Sequence, residues 1–267
     1  MNEKLERLRE ILRGMRSALV AYSGGTDSAL LLTVARQELH PRLLAVTARS
    51  KTYPGRELEL ARSIAAGINA EHMVIDTDEL ADERFASNPP ERCYWCKRAL
   101  LQRLIEIAAE RGLAHVIEGS NLDDEGDYRP GERAVRELGV RSPLREAALT
   151  KAEIRGLARS MGLPNWNRPA QACLASRFPY GTRITPERLD VVERAEAVLA
   201  GLGLSQFRVR YHGEVARIET LGEEVRIVLD DANAADIAAR FREIGFRYVA
   251  LDIQGYRTGS LNEALEP

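Results

Sequence analysis

The sequence contains no apolar run long enough to cross a bilayer, since a spanning helix needs about 20 such residues. Its first stretch, MNEKLERLREILRGM, is charged and lacks the apolar centre of a secretion signal. A cytoplasmic protein with reduced thiols is therefore expected. Cysteine is scarce, with Cys93, Cys96 and Cys173 the full set of three. In a reducing compartment such thiols read as metal ligands, catalytic groups or inert core positions before disulfides. Neither sign of charge is in excess: the formal net charge is -2. No global basic field recruits nucleic acid, although a local basic patch is compatible with that total. Lysine is nearly missing, with Lys4, Lys51, Lys97 and Lys151 the whole complement. Arginine carries the rest of the positive charge and suits phosphate and carboxylate forks, with genome base composition the plainer source of most of it. There is no internal repeat and no low-complexity segment. What is present is an ordinary globular mixture, 45% hydrophobic and 29% charged in 267 residues. That length suffices for one large α/β domain, or for a domain of ordinary size plus a smaller one.

Leu5, Leu8 and Leu12 share one face of a helix over 1–16. Strands are expected at 17–22 (SALVAY), 43–47 (LLAVT), 72–75 (HMVI) and 115–118 (HVIE), alternating with helices through 30–34, over 57–67 and over 97–111. The alternation predicts an α/β fold with a doubly wound parallel sheet. Ligands of such sheets bind beyond the carboxyl ends of the strands, so the loops after Tyr22, Thr47 and Glu118 should share one crevice. Thr150 opens a capping box, T-K-A-E, for a helix to about Met161. The stretch 162–185 is rich in Gly and Pro and without period, which marks a functional segment; its Trp166, Phe178 and Tyr180 argue against disorder. Thr185 caps another helix with Pro186 at its first position. Strands near 207–219 and 224–229, a helix at 233–244 and a strand near 247–253 complete a smaller C-terminal α+β domain. The expected division is 1–182 and 183–267, the second part serving substrate binding or oligomerisation.

The strongest local signal is Ser23-Gly24-Gly25-Thr26-Asp27-Ser28, set between a strand and a helix. Two glycines permit a tight turn and close approach to a ligand, and the helix start offers N–H groups and a dipole to an anion. Ser23 and Ser28 add hydroxyls. Asp27 repels phosphate, and suits magnesium or the helix N-terminus instead. The ending G-K-[ST] of a Walker A loop is missing. The loop resembles the PP-loop of the ATP pyrophosphatase superfamily, whose members split ATP into AMP and pyrophosphate. A strand–helix turn with a serine cap is the plain alternative.

Cys93-Tyr94-Trp95-Cys96 is by itself compatible with half a zinc site, cluster ligands, a redox pair or two buried thiols. Cys173 lies in the irregular stretch near Arg168, Arg177 and Arg183, and positive charge favours its thiolate. A small buried hydrophobe is its plain reading.

Taken together, AYSGGTDSALL, NPPERCYWCK, EGSNLDDEGDYRPG, SPLREAALTKAEIRGLA, MGLPNWNRPAQACLASRFPYGTRIT, VRYHGEVARIE and LDIQGYRTGSLNEAL closely resemble the LarE-type ATP-dependent sulfur transferases of nickel-pincer cofactor biosynthesis, over residues 21–265. The segments at 123–131 and 173–181 set that family apart from PP-loop proteins at large. The resemblance implies adenylation of the two carboxylates of pyridinium-3,5-biscarboxylic acid mononucleotide and their conversion to thiocarboxylates. It implies ATP and Mg2+ as cofactors, and a homo-oligomer. It makes Cys173 the sulfur-bearing residue, either sacrificed or, as the matching positions of all three cysteines favour, a ligand with Cys93 and Cys96 of a [4Fe–4S] cluster. Three thiolates leave one iron open for a transferable sulfide. A structural zinc would want a fourth ligand, for which His212 is available but not placed by the sequence. One departure is Asn167-Arg168, where the family's loop implies Asp-Lys.

On this reading Ser23, Gly24, Gly25, Thr26, Asp27 and Ser28 hold pyrophosphate and magnesium, and adenine lies near Thr47 and Ser50. Asn121, Asp123 and Asp124 face the same crevice, with turn chemistry as their plain alternative. Arg177 stands beside Cys173. Arg210 and Arg257 are candidate forks for a substrate with a phosphate and two carboxylates, with solvated surface arginines as the plain alternative, and Trp95 is a candidate for stacking on a cationic ring, with core packing as its alternative. The rival functions are an iron–sulfur tRNA thiolase, which would need a basic surface, an amide-forming PP-loop ligase, which would not need Cys173, and a nucleotide-binding regulator.

Overall fold

The computed structural model describes residues 2–124, 130–169 and 172–265. Residues 125–129, within the segment at 123–131, and Ala170 and Gln171, just before Cys173, lie outside the described residues. In chain order the elements are α1 (Asn2–Met15), β1 (Ala18–Ala21), α2 (Thr26–Leu39), β2 (Leu43–Arg49), α3 (Gly55–Gly67), β3 (His72–Asp76), α4 (Glu83–Ala86), α5 (Arg92–Glu110), β4 (His115–Ile117), α6 (Pro130–Glu137), α7 (Pro143–Glu146) and α8 (Lys151–Ser160). There follow α9 (Pro186–Gly201), β5 (Phe207–His212), β6 (Val215–Thr220), α10 (Val225–Leu229), α11 (Asp231–Ile244) and β7 (Tyr248–Leu251). They form two compact units, Met1–Asp78 with Glu91–Gln171, and Glu79–Pro90 with Ala172–Pro267.

The first unit is the expected doubly wound sheet, four parallel strands in the order β3-β2-β1-β4. Side chains alternate across a strand. Ala18, Val20, Leu43 and Ala45 therefore pack with Leu8, Leu12, Leu30, Leu31 and Leu157 in one core. Leu19, Leu44 and Val46 pack with Leu101 and Leu104 in the other. Burial on both faces is why SALVAY and LLAVT read as continuous apolar runs. The strand order turns back at β1, so the crevice opens where β1 and β4 end.

Helix signals in the sequence are met by geometry. The Thr150 capping box closes, with Glu153 N donating to Thr150 Oγ1 at 3.3 Å and Thr150 N to Glu153 Oε2 at 2.9 Å. Lys4 and these Thr150 donors hold the Glu153 carboxyl down at about 2. Helix α5 starts at Arg92, earlier than the 97–111 expected from periodicity. Pro89 and Pro90 stop it from reaching further back. Cys93 and Cys96 consequently share one face of its first turn.

The second unit has the sheet β5-β6-β7, with β5–β6 antiparallel and β6–β7 parallel. One face packs Phe207, Val209, Ala216 and Ile218 on Ala195, Leu199, Ile237 and Phe241. Residues 224–229, expected as a strand, are instead mostly the helix α10. Parallel pairing of β6 with β7 requires a crossover, and this β-prone run is spent in it. The Glu224 carboxylate anchors the turn by accepting from Ser205 N at 2.7 Å and Thr220 Oγ1 at 2.9 Å. Thr185 caps α9 as expected, accepting from Arg188 N at 3.3 Å.

Glu79–Pro90 joins this unit because Ala86 O accepts from Ile184 N at 2.8 Å and Asn88 O from Gly181 N at 2.9 Å. The buried Asn88, at φ 58°, also donates Nδ2 to Pro179 O at 2.8 Å. The unit takes in Ala172 onward, whereas the change of pattern in the sequence falls at 182. Among the described residues no helix is long and apolar enough to cross a membrane.

Candidate active site

The loop 23–28 leaves the end of β1 and enters α2. Gly24 sits at φ +79°, and a Cβ there would stand 2.8 Å from Ala61 Cβ of α3; only glycine meets both conditions. The two serines lock the turn. Ser28 Oγ donates to Gly25 O at 3.1 Å and accepts from Ser23 N at 3.3 Å. Its single proton is thus used, so the 3.1 Å contact between the two hydroxyls is donated by Ser23. The first intrahelical bond is Ala29 N to Gly25 O at 2.9 Å. The amides of Thr26, Asp27 and Ser28 lie in the first turn ahead of it, where a helix offers N–H groups to an anion.

The end of β4 completes this part. Gly119 lies so close to α2 that a Cβ would stand 3.1 Å from Ser28 N; any side chain there would crowd the amide. Asn121, wholly buried, donates Nδ2 to Asp27 Oδ2 at 3.1 Å. Asp123 Oδ2 accepts from Lys151 N at 2.7 Å, and Asp124 Oδ2 from Asn121 N at 3.0 Å. Asn121 is therefore brought to the phosphate loop, whereas Asp123 and Asp124 perform cap and turn duties. Magnesium is commonly held by one or two carboxylates plus substrate phosphates, and Asp27 at the phosphate loop fits that donor set.

At β2 the Thr47 hydroxyl is buried and committed. It donates to Tyr22 O at 2.7 Å, which leaves it the acceptor for His72 Nε2 at 2.8 Å. Burial, reinforced by Arg62, holds the His72 pKa below its ordinary value, so its Nε2–H form persists at neutral pH. Ser50 Oγ turns the chain, accepting from Thr52 N at 3.1 Å. Tyr53, not foreseen from sequence, donates its hydroxyl to Ser23 O at 3.2 Å.

Glu118, also unforeseen, ties β4 to the cysteine helix. Its carboxylate accepts from Ser142 Oγ at 2.5 Å, Ser120 Oγ at 2.9 Å, Ser120 N at 3.1 Å and Lys97 Nζ at 3.2 Å. Burial pushes its pKa up, but Lys97 and the serine donors outweigh burial and hold it below the ordinary 4.5. A depressed carboxyl stabilises the fold above its unfolded-state value, and that contribution is lost as pH falls through the folded value. Glu118→Gln is thus expected to cost about 1–3 kcal/mol at neutral pH and to converge on the parent below pH 4.5. Denaturant unfolding at both pH values checks this; a gap of constant size would remove the carboxylate's charge from the account.

None of the three cysteines is in a disulfide. Cys93 is exposed and Cys96 half-buried on the first turn of α5, and Trp95 lies edge-on to Tyr94 at 4.8 Å. Among the described residues no three His, Cys, Asp or Glu side chains are gathered as a metal site. Each unit by itself holds only part of the thiol set, two in the first and Cys173 in the second.

In the second unit Cys173 is half-buried and caps the short turn 174–177. Arg177, fully buried, clamps that turn. Its Nη1 donates to Ala172 O at 2.8 Å, Cys173 O at 3.0 Å and Ser176 Oγ at 3.0 Å, while Nε and Nη2 grip Glu196 at 2.8 and 3.0 Å. Arg210 adds Nη1 to Ser176 O at 2.6 Å and is itself forked onto Glu219 at 2.9 and 2.8 Å. Both arginines are used in holding the cysteine turn. Arg208 is driven down to about 10 by burial first and then by the charges of Arg177 and Arg210. Arg257 is forked onto Glu263 at 3.1 and 3.0 Å, and its buried Nη1 has no hydrogen-bond partner. His212 stays below its ordinary pKa through burial and the nearby Arg217 and Arg210. Arg168, at the departure from the family's loop, pairs with Glu57 at 2.8 Å.

Glu196 and Glu219 were the most informative residues missed. Glu196 had a signal: it stands in the apolar stripe Leu189, Val192, Leu199 of α9, where a lone carboxylate must have a buried partner.

The asparagine synthase family model matches residues 8–94. The chain is 43% identical, over 99% of both chains, to an uncharacterized protein of Synechocystis sp.. It is 39% identical to the pyridinium-3,5-bisthiocarboxylic acid mononucleotide synthase of Lactiplantibacillus plantarum, over 95% of this chain and 92% of that one. A more distant likeness, 28% identical over 70% of this chain, is to a glutamine-hydrolyzing GMP synthase of Aeropyrum pernix, of which 41% is covered.

Proposed function

Because the chain belongs to the LarE-type family of PP-loop sulfur transferases, we propose that it converts the carboxylates of pyridinium-3,5-biscarboxylic acid mononucleotide to thiocarboxylates. The observation that carries this reading is 39% identity to the synthase over 95% of this chain and 92% of that one. The loop amides of Thr26, Asp27 and Ser28 hold the phosphates of ATP, with magnesium on Asp27. A carboxylate oxygen of the substrate attacks the α-phosphorus, the bond to the β-phosphate oxygen breaks, and pyrophosphate leaves. Sulfur then adds to the activated carbon, and AMP departs with the former carboxylate oxygen. Arg257 is the candidate fork for an anionic group of the substrate. Arg177 and Arg210 keep the backbone of the Cys173 turn fixed through their bonds to the carbonyls of Ala172, Cys173 and Ser176.

Within this proposal Cys93, Cys96 and Cys173 are the thiolate ligands of a [4Fe–4S] cluster in a reducing, cytoplasmic setting. Held there, such a cluster would supply sulfide for transfer. The donor chemistry supports it: three thiols, none in a disulfide, at the positions that the resemblance implies. A homo-oligomer belongs to the same reading.

Pyrophosphate release tests the adenylation half. With ATP and magnesium it should appear only when the biscarboxylate mononucleotide is added. Release that depends on ammonia, or on tRNA, would favour the ligase or the tRNA thiolase.

A further inference from the structure

We infer that Asn165 is a positioning residue of the phosphate loop, an inference that rests on the ATP-binding reading above. Asn165 is buried in the irregular segment after α8, 2% exposed. It grips the loop at two points far away in sequence. Its Nδ2 donates to Gly24 O at 2.8 Å, and its own carbonyl accepts from Thr26 Oγ1 at 2.7 Å. Gly24 is the residue at φ +79° whose conformation sets the direction of the following amides. Thr26 begins α2. One side chain and one carbonyl thus fix both ends of the turn that presents N–H groups to phosphate.

The amide orientation is set by chemistry, because only the NH2 end can donate to a carbonyl. The other end, Oδ1, is therefore a buried acceptor, and it has no hydrogen-bond partner. A buried unmet acceptor costs free energy. A side chain without that acceptor would remove this cost but would leave the buried Gly24 O without its donor. Asparagine carries that cost, and the group it uses is the one that holds Gly24.

The segment is secured from the other side too. Asn165 O also accepts from Arg168 N at 3.1 Å, and the Arg168 guanidinium pairs with Glu57 on α3. Helix α3 carries Ala61, the residue against which Gly24 packs. Loop, helix and segment form a closed ring of contacts within the first unit, so displacement of Asn165 releases the loop rather than the sheet.

The test is ATP affinity by calorimetry on the full chain, with Tm measured alongside. Asn165→Leu keeps the volume and removes both the donor and the unmet acceptor. It leaves Gly24 O without its donor, so Tm should fall by a few degrees while ATP affinity falls about tenfold. Affinity equal to the parent would overturn the inference. Asn165→Asp supplies a second reading should the leucine variant fail to fold. An ionised carboxylate repels Gly24 O, whereas a protonated one donates to it, so ATP affinity of this variant should recover relative to the parent as pH is lowered from about 7 towards the carboxyl pKa, which lies at about 4 for a free aspartate and is raised by burial. Superimposable pH profiles would also overturn it. If the parent itself does not bind ATP, the functional reading falls with the inference; if the parent binds and both variants match it, only the inference falls.

Discussion

Cys173→Ala is expected to lower thiocarboxylate formation at least about a thousandfold while ATP affinity stays that of the parent. The thiol stands on a turn of the second unit, whereas the phosphate loop is built wholly from the first. Loss of a group that acts only on the sulfur should strike turnover and spare nucleotide binding. The check is product mass together with calorimetric ATP binding on the same preparation. An amide-forming ligase predicts something different: the variant would keep full turnover with ammonia as donor. Retained turnover would therefore reassign the chain within the PP-loop proteins, and loss of ATP binding would show that the cysteine turn supports the first unit.

The largest effect on stability should come from Glu196→Ala. It strands the Arg177 guanidinium, which is fully buried and forked onto that carboxylate. Removing one partner of a buried ion pair costs about 3–5 kcal/mol. That should lower Tm by on the order of 10 °C. Glu196 also accepts from Val209 N at 3.2 Å, so the loss extends into β5. Replacing the pair together, Arg177→Met with Glu196→Leu, should recover much of the stability, since a well-packed apolar pair can match a buried ionic one. It should not recover activity, because the carbonyls of Ala172 and Cys173 would lose the donor that holds them. A double variant as active as the parent would reduce Arg177 to packing. Differential scanning calorimetry with product assays separates the two contributions.

These expectations depend on parts of the molecule that were unequally legible in the sequence. The parallel sheet could be read because its strands are buried on both faces and its helices are periodic, and the phosphate loop because six consecutive residues carry its geometry. Caps at Thr150 and Thr185 were legible for the same reason, as their hydrogen bonds close within three residues. Residues 224–229 misled because branched side chains favour strands locally, whereas the pairing of β6 with β7 demands a crossover. Tertiary topology decided what local propensity could not.

The site follows the same division. Cysteines and loop glycines announce themselves. The residues that hold them do so across long separations, Asn165 to Gly24, Arg177 to Glu196, Lys97 to Glu118, and no spacing rule links such pairs. Strand β5 gave a partial hint. Its alternation sends Phe207 and Val209 into the core and Arg208 and Arg210 to the opposite face. That pattern ordinarily marks a solvated face, yet both arginines are buried. The charged layer beneath the cysteine turn is thus invisible to patterning, which distinguishes polar from apolar and not wet from dry.

The most direct test of the central claim is the mass of the product formed from pyridinium-3,5-biscarboxylic acid mononucleotide by protein reconstituted without oxygen, with ATP and magnesium. The account predicts replacement of carboxylate oxygen by sulfur, with one pyrophosphate released for each sulfur gained. A substrate recovered unchanged, or recovered as an amide, would contradict it.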